Sequence, residues 1–482
     1  EIESEAIRNF CTANVGEEIS VLRKMALPDF IAGQQITPEI IKNPASILPM
    51  FTDFSDYIYS ENFPGINRIM TGMRANNQVD IQWELYKVGE TGEHKAIRTL
   101  SSQSLRDVLK GTGKSCDLDA IYKLKAAYLR KQINIKVNQD SFAVFMNKFR
   151  SRNSFSRVTF ECLAEEFERE FNFDLVEATR ELYDQHGLAA LRVQDIEQYT
   201  GKGNEGPMLA FSVWNSSDVN GIISAYTDKG DGSRDLLNVG DFMIRAGECS
   251  RICFPLPHSV GGVILQTNLA QNIPGNYIYN FMEFPQEALV HAGRKKLEPF
   301  CFLPPSGEIV VDSEDQGFHV FASETKESLL GKLLQDKMIV EDSGVDFLTD
   351  NAPGWVSSVY IDAYGFPVRS FLGKKTKNSQ ARAEWKTEIP EQGEYGVSIY
   401  KLDLDFRYQR QADSVAYYYT LEQGDYRADI VMSFLRNGLQ NIYLSDNLGR
   451  KEEYSYQQQM PQCGWIQVGV LPLVKGKVKL IL

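Results

Sequence analysis

The chain has 482 residues, with 43% hydrophobic and 24% charged residues. At roughly 150 residues per domain this length predicts about three domains, and the composition excludes a disordered chain, a collagen-like fibre and a simple coiled coil. The 51 Lys and Arg residues against 64 Asp and Glu residues leave a net charge of −13. An acidic surface repels phosphate backbones, so no nucleic-acid partner is expected. Because there is no run of about eighteen apolar residues, the sequence also predicts no membrane span in this chain.

Residues 1–190 are predicted to form a mainly helical domain. Phenylalanines recur at helical spacing in Ser141–Arg150 and again in Thr159–Phe171, with acidic residues opposite the second stripe. Asp174 is a good N-cap for a further helix, which Gly187 ends. Such stripes are typical of a helical core.

The hydrophobic period changes near Leu191. Runs such as LRVQDIEQY, MLAFSVWN and GIISAY alternate or stay apolar over short stretches, with turn residues between them. They predict a small antiparallel, immunoglobulin-like β-sandwich over residues 191–300. A linker at 297–307 leads to a second β-rich domain at 305–482. The predicted fold class is therefore multidomain α + β, with a helical amino-terminal domain followed by two antiparallel β-sandwich domains.

Two glycine-rich motifs resemble nucleotide-binding loops but lack necessary parts. The run KGTGKSCD has Val108 where a phosphate-binding loop needs its first glycine. Gly201, Gly203 and Gly206 precede Pro207 and a strand, whereas a dinucleotide site needs a helix there. No cofactor is predicted.

No local signature of a metal site or of a catalytic centre is present. Neither HExxH nor Gly-x-Ser-x-Gly occurs, and the aspartates around Asp228 and Asp312 fit acidic turns better than calcium loops. The seven cysteines are odd in number and favour buried thiols over disulfides or zinc. No catalytic or metal residue is assigned, although a glycosidase pair among the many carboxylates is neither identified nor excluded.

Aromatic residues crowd the last domain. Flat aromatic faces stack on the apolar faces of sugar rings, while strand aromatics can equally build a sandwich core. We predict a ligand-binding surface at Trp355, Tyr360 and Tyr364, with Trp355 and Tyr364 as the better candidates for solvent exposure and Trp385 as core.

The last domain resembles the golvesin/xanthan-lyase carbohydrate-binding-like family. The resemblance is carried by short motifs in a fitting order: Ile309–Asp312, Pro353–Trp355, Tyr364–Gly365, Ala383–Trp385, Gly393–Tyr395, Tyr418–Thr420 and Gly464–Ile466. It implies a β-sandwich that binds carbohydrate. It also implies that the protein continues past Leu482.

Residues 1–300 resemble the non-catalytic carboxyl-terminal part of a gluzincin-type aminopeptidase relative. The run YIYSENFPGINRI and the segment 160–197 are similar to helices of such proteins followed by the start of a sandwich. Tyr183 and Gly187-Leu188 match the family's helix end, while Ala189 replaces the usual proline. The family's zinc motif is absent, so the resemblance implies no peptidase activity for these residues.

The favoured hypothesis is a non-catalytic region of a larger bacterial extracytoplasmic protein, periplasmic or at the cell surface. Its expected partner is a polysaccharide, a cell-surface glycan or another protein. The alternatives are the accessory tail of a zinc metallopeptidase relative, or a polysaccharide lyase or hydrolase with a non-local site. A purely structural spacer is a third reading.

Overall fold

The computed structural model describes the following residues: 57–73, 91–111, 118–153, 156–200, 206–228, 236–281, 286–287, 291–304, 307–321, 339–341, 355–373, 382–401, 440–445, 451–456 and 464–481. Over these residues the protein is a mixed α + β structure with several antiparallel sheets. It divides into two compact units. One comprises residues 1–77, 104–112 and 122–185, and the other comprises 78–103, 113–121 and 186–482.

Seven α-helices lie within the described residues. They are α1 Ile66–Gly72, α2 Gly92–Leu100, α3 Leu105–Lys110, α4 Leu118–Lys136, α5 Gln139–Asn153, α6 Phe160–Phe171 and α7 Leu175–Asp184. None of these helices combines the length and the apolar character that a membrane crossing requires.

Side-chain caps and phenylalanine stripes explain the helices of the first unit. The Thr159 hydroxyl accepts a hydrogen bond from the Cys162 amide at 3.3 Å and starts α6, and the Asp174 carboxylate accepts one from the Glu177 amide at 2.8 Å and starts α7. The ring centroids of Phe145 and Phe167 are 5.3 Å apart, which joins α5 to α6. These helices confirm the predicted periodicity.

Twenty-one strands occur in the described part of the chain. Those of the first half are β1 Tyr57–Tyr59, β2 Arg157–Thr159, β3 Leu191–Thr200, β4 Met208–Asn215, β5 Gly221–Asp228, β6 Leu236–Ile244, β7 Cys249–Pro255, β8 Gly262–Gln266, β9 Asn276–Asn280, β10 Gln286–Glu287 and β11 Gly293–Lys296. The rest are β12 Phe318–Phe321, β13 Ile339–Glu341, β14 Trp355–Val359, β15 Ser370–Gly373, β16 Arg382–Ile389, β17 Gly393–Lys401, β18 Gln440–Ser445, β19 Lys451–Tyr456, β20 Gly464–Leu473 and β21 Gly476–Ile481.

Two sheets between residues 191 and 296 share one hydrophobic cluster. Their strand orders are β10-β3-β4-β7-β11 and β6-β5-β8-β9. Alternate residues of β4, including Phe211, join Ile223 of β5 and Leu265 of β8 in this cluster. The alternation in the sequence therefore places every second residue of such a strand in the cluster and the residues between them on the opposite face of the sheet.

The last region contains a five-stranded sheet, a three-stranded sheet and a two-stranded ribbon. The orders are β12-β16-β21-β18-β19, β13-β14-β15 and β17-β20. One face of the ribbon carries Tyr395, Val397, Leu471 and Leu473, which belong to a hydrophobic cluster with Ile389 and Val478. The other face of the ribbon is more exposed.

Backbone hydrogen bonds join the turn before β9 to the loop before β15. The Ile273 amide donates to the Pro367 carbonyl at 3.2 Å, and the Arg369 amide donates to the Ile273 carbonyl at 2.7 Å. Both segments belong to the second compact unit. The domain boundaries that the sequence predicts at residues 190, 300 and 305 stay predictions.

Several sequence features fall outside the described residues. They include the phosphate-loop-like residues 112–117, Gly201 and Gly203, and the tyrosine-rich run at 414–424. The described cysteines are free. Cys249 and Cys253 are buried as expected, whereas Cys162 and Cys301 are exposed.

The buried side chain of Asn272 forms two hydrogen bonds with the backbone of Leu191, the first residue of β3. Its amide oxygen accepts from the Leu191 amide at 3.0 Å, and its amide nitrogen donates to the Leu191 carbonyl at 2.8 Å. Only 1% of Asn272 is exposed. Asn272→Ala leaves the buried Leu191 amide without this acceptor and leaves the Leu191 carbonyl with only the longer, 3.3 Å bond from the Tyr277 hydroxyl among its side-chain donors, so we expect a loss of about 1–3 kcal/mol in the free energy of unfolding.

Urea denaturation followed by tryptophan fluorescence measures this loss. Asn238→Ala is the control, because Asn238 is exposed and its side chain bonds only at the surface. We expect it to change stability by less than about 0.5 kcal/mol. Equal effects of the two substitutions would contradict the role of Asn272.

Candidate functional site

Three aromatic side chains meet at one end of the β17-β20 ribbon. The ring centroids of Tyr364 and Trp465 are 4.9 Å apart, those of Tyr400 and Trp465 are 5.4 Å apart, and those of Tyr364 and Tyr400 are 5.3 Å apart. The Trp465 ring stands nearly perpendicular to both tyrosines, at 71° and 80°. Trp465 is 46% exposed although it is a large apolar side chain. We call these three residues the aromatic face.

Strand register and a loop bring the three rings together. Tyr400, near the end of β17, is the direct partner of Trp465, near the start of β20. Cross-strand partners of an antiparallel pair project from the same face. The Tyr400 hydroxyl donates to the Asp362 carbonyl at 2.8 Å, which ties the ribbon to the loop that carries Tyr364.

Polar side chains continue this face along the ribbon. Ser398 and Gln467 are the next partners on the same side as Tyr400 and Trp465, and both are exposed. A Cβ added to Gly396 would lie 3.9 Å from the Gln467 side-chain nitrogen, so the Gln467 amide extends beside the Gly396 backbone. The aromatic face therefore adjoins a hydroxyl and an amide, each able to donate and to accept hydrogen bonds.

An acidic turn lies behind Tyr364. The Asp312 carboxylate accepts hydrogen bonds from the Ser313 amide at 2.6 Å and from the Ser313 hydroxyl at 3.3 Å. The Asp315 carboxylate in turn accepts from the Asp312 amide at 2.8 Å. Burial raises the pKa of Asp312 to about 6, and the negative charge of Asp315 acts in the same direction. Burial also raises the pKa of the Tyr364 hydroxyl, with Arg192 opposing the shift.

Two of the three sequence-predicted binding residues are buried. Trp355 is 8% exposed, donates its ring N–H to the Phe321 carbonyl at 3.0 Å, and lies in a hydrophobic cluster with Val320 and Ala383. Tyr360 is 2% exposed and clusters with Ile361. The surface position expected for Trp355 is therefore corrected to a core position, because its strand turns this ring towards β12 and β16.

Tyr364 is half-buried and belongs to the aromatic face. The sequence patterns did not single out Tyr400, and they included Trp465 only within the Gly464–Ile466 motif of the family resemblance. Tyr395 and Tyr400 lie on the same strand at odd spacing, so they must project from opposite faces. The alternation along β17 therefore places Tyr395 and Tyr400 on opposite faces. Only the pairing of β17 with β20 shows which of the two faces is covered.

Two observations in the described part of the chain concern metal binding and acid–base chemistry. There, no group of three or more His, Cys, Asp or Glu side chains is arranged to hold a metal ion. Lys125 of α4 is buried, and burial lowers its pKa to about 8. A lysine pKa lowered in this way occurs at catalytic lysines and also at lysines with a purely structural role.

Neither the search of protein-family models nor the search of curated proteins found a match.

The burial of Trp355 predicts that its truncation acts on stability. Trp355→Ala removes a large buried ring and leaves the Phe321 carbonyl without this donor, so we expect a loss of about 3–5 kcal/mol in the free energy of unfolding. Trp465→Ala, at the exposed position, is expected to cost less than about 1 kcal/mol. Thermal and urea denaturation of both variants measure the difference. A Trp355→Ala protein as stable as the wild type would contradict the core assignment.

Proposed function

We propose that the chain is a non-catalytic region of a larger bacterial extracytoplasmic protein, and that its last β-rich region binds a carbohydrate at the aromatic face. The observation that carries this proposal is Trp465, which stays exposed while its tyrosine neighbours hold its orientation. A large ring kept in water forgoes the free energy of burial, and exposed apolar surface often marks a binding site.

The geometry favours a sugar over a small organic cation. Rings that enclose a cation must leave a gap for it, whereas centroids 4.9–5.4 Å apart place these rings in contact with one another. Trp465 is the most exposed of the three rings, with the Ser398 hydroxyl and the Gln467 amide alongside. One flat ring and flanking hydrogen-bonding groups suit a pyranose ring.

The charge and the shape of the aromatic face restrict the class of ligand further. Glu308 and Asp312 both influence the hydroxyl of Tyr364 through their negative charges. These carboxylates disfavour an anionic polysaccharide, so the proposed ligand is a neutral one. A shallow aromatic surface buries little area per sugar, and we therefore expect weak binding that several adjacent sugars reinforce.

The proposal includes an architecture of two antiparallel β-sandwiches after the helical region. Its support in residues 191–300 is the single hydrophobic cluster shared by the two sheets. In the last region, the support is a cluster that joins β12, β14 and β16. The resemblance to the golvesin/xanthan-lyase family fits a carbohydrate-binding sandwich, and a periplasmic or cell-surface location follows from that proposal.

The accessory tail of a zinc metallopeptidase relative is a second candidate. One observation favours it: α6 and α7 are followed directly by β3, the order that the gluzincin resemblance implies. Sequencing the gene upstream of Glu1 tests this candidate. An HExxH helix there would support it, and an export signal or anchor alone would remove it.

Truncation of Trp465 tests the carbohydrate proposal. We expect Trp465→Ala to weaken retention on neutral polysaccharides such as hydroxyethylcellulose by at least about tenfold, which corresponds to about 1.4 kcal/mol. Affinity electrophoresis of the full chain through gels with and without each polysaccharide gives the measurement.

Tyr279→Ala is the matched control. Tyr279 is also a strand aromatic and is 44% exposed, but it lies in β9, outside the aromatic face. We expect it to bind like the wild type. Equal retention of Trp465→Ala and the wild type, or no retention of the wild type on any neutral polysaccharide, would rule out the proposed site.

A further inference from the structure

We propose that Asp312 is a positioning residue for the aromatic face, and that its protonation strengthens the binding of a neutral sugar there. This inference rests on the proposed carbohydrate function. Asp312 is not part of the exposed surface formed by Trp465, Ser398 and Gln467, so its effect passes through the loop that carries Tyr364.

The first step is a close contact between Asp312 and Gly365. A Cβ added to Gly365 would lie 2.6 Å from a carboxylate oxygen of Asp312 and 2.2 Å from the Val368 carbonyl oxygen. Gly365 has φ +136°, a conformation in which a side chain is strained. The loop thus uses glycine so that its backbone can lie against the carboxyl group, one residue from Tyr364.

In the second step, contacts on two sides hold the acidic turn in place. The hydroxyls of Ser313 and Ser370 are 2.9 Å apart, which ties the turn to the start of β15. Arg98 of α2 forms an ion pair with Glu314 at 3.2 Å. The turn is held at these points, and the Asp312 carboxylate lies against the Gly365 backbone, so a charge change at Asp312 acts on the loop that carries Tyr364.

The third step is the electrostatic balance around Asp312. Ionised, it is partly removed from water and has Asp315 and Glu314 as like charges beside it. The charged and titratable groups that face this site from the surrounding elements are Glu308, Glu314, Asp315, Tyr364, Arg192 and, through its pair with Glu314, Arg98. Hydrogen bonds from Ser313 favour the ionised form of Asp312, but burial and the charges of Asp315 and Glu314 outweigh them, so protonation of Asp312 relieves repulsion.

The direction of the pH dependence follows from the pKa of Asp312, which burial raises to about 6. The folded turn therefore takes up a proton more readily than the unfolded chain, and this contribution to stability is lost as the pH rises through about 6. A neutral sugar on Trp465 displaces water from the neighbouring Tyr364 ring and from the acidic turn that adjoins it, and this loss of water favours the uncharged form of Asp312. By reciprocal linkage, protonation then favours sugar binding.

The experiment compares the pH profile of binding in four proteins. The wild-type 482-residue chain, Asp312→Asn, Glu388→Gln and Trp465→Ala are titrated with hydroxyethylcellulose between pH 5 and pH 8 at constant ionic strength. We expect wild-type affinity to rise about threefold from pH 7.5 to pH 5. Asp312→Asn, which resembles the protonated acid in shape and charge, is expected to bind at the acid-side affinity at every pH.

Glu388→Gln controls for the loss of one negative charge. Glu388 is exposed on β16, so this variant is expected to follow the wild-type profile. An Asp312→Asn protein that keeps the wild-type pH profile, or a wild-type affinity that falls on acidification, would overturn the positioning role while leaving carbohydrate binding intact. A wild type that binds no polysaccharide at any pH would overturn the proposed function and this inference together.

A ligand-free measurement covers the case in which Asp312→Asn folds poorly. Near-ultraviolet circular dichroism reports the packing of the tyrosine and tryptophan rings. We expect the wild-type signal to change with a midpoint near the pKa of Asp312, and the same change in Trp465→Ala to be smaller. A wild-type signal that is flat between pH 5 and pH 8 would contradict the coupling between Asp312 and the aromatic face.

Discussion

The anchoring of the loop before β15 by Arg369 is the constraint on which the candidate site depends. The guanidinium donates to the carbonyls of Pro274, Asn276 and Ile361 at 2.6–2.8 Å, and it lies 4.6 Å from the centre of the Tyr277 ring. One cation therefore satisfies three carbonyls of two segments that are distant in sequence. Charge-assisted hydrogen bonds of this kind are stronger than neutral ones, so the loop has a fixed base from which to present its aromatic residue.

The two faces of the β17-β20 ribbon have different roles. The face with Val397 and Leu471 lies in a hydrophobic cluster and holds the ribbon in place. The opposite face is left to present Tyr400 and Trp465, which meet Tyr364 from the anchored loop. The ribbon needs both roles, because a two-stranded hairpin without a covered face is marginally stable in water. An exposed tryptophan on a firmly held strand is oriented before any ligand arrives, which reduces the entropy lost on binding.

The acidic turn adds a second constraint on the same loop. Asp312 lies against the Gly365 backbone, so the conformation of the loop and the charge of the carboxyl group are linked. Such a group is more costly to ionise than an exposed aspartate, and the protein retains it beside Tyr364. Stability alone does not account for this choice, since a half-buried carboxylate beside like charges is unfavourable at neutral pH.

The sequence by itself determined the helices, most of the strands of the middle region, and the general position of an aromatic-rich end. Local signals suffice for these, because the cap at Asp174 and the alternation of the strand that begins at Leu191 act within a few residues. Only the tertiary structure decided that Trp355 is covered while Trp465 is exposed. Both are strand aromatics with similar neighbours, and their fates depend on which distant strands cover each face. That information lies in long-range pairing, such as Tyr400 with Trp465, which no local pattern encodes.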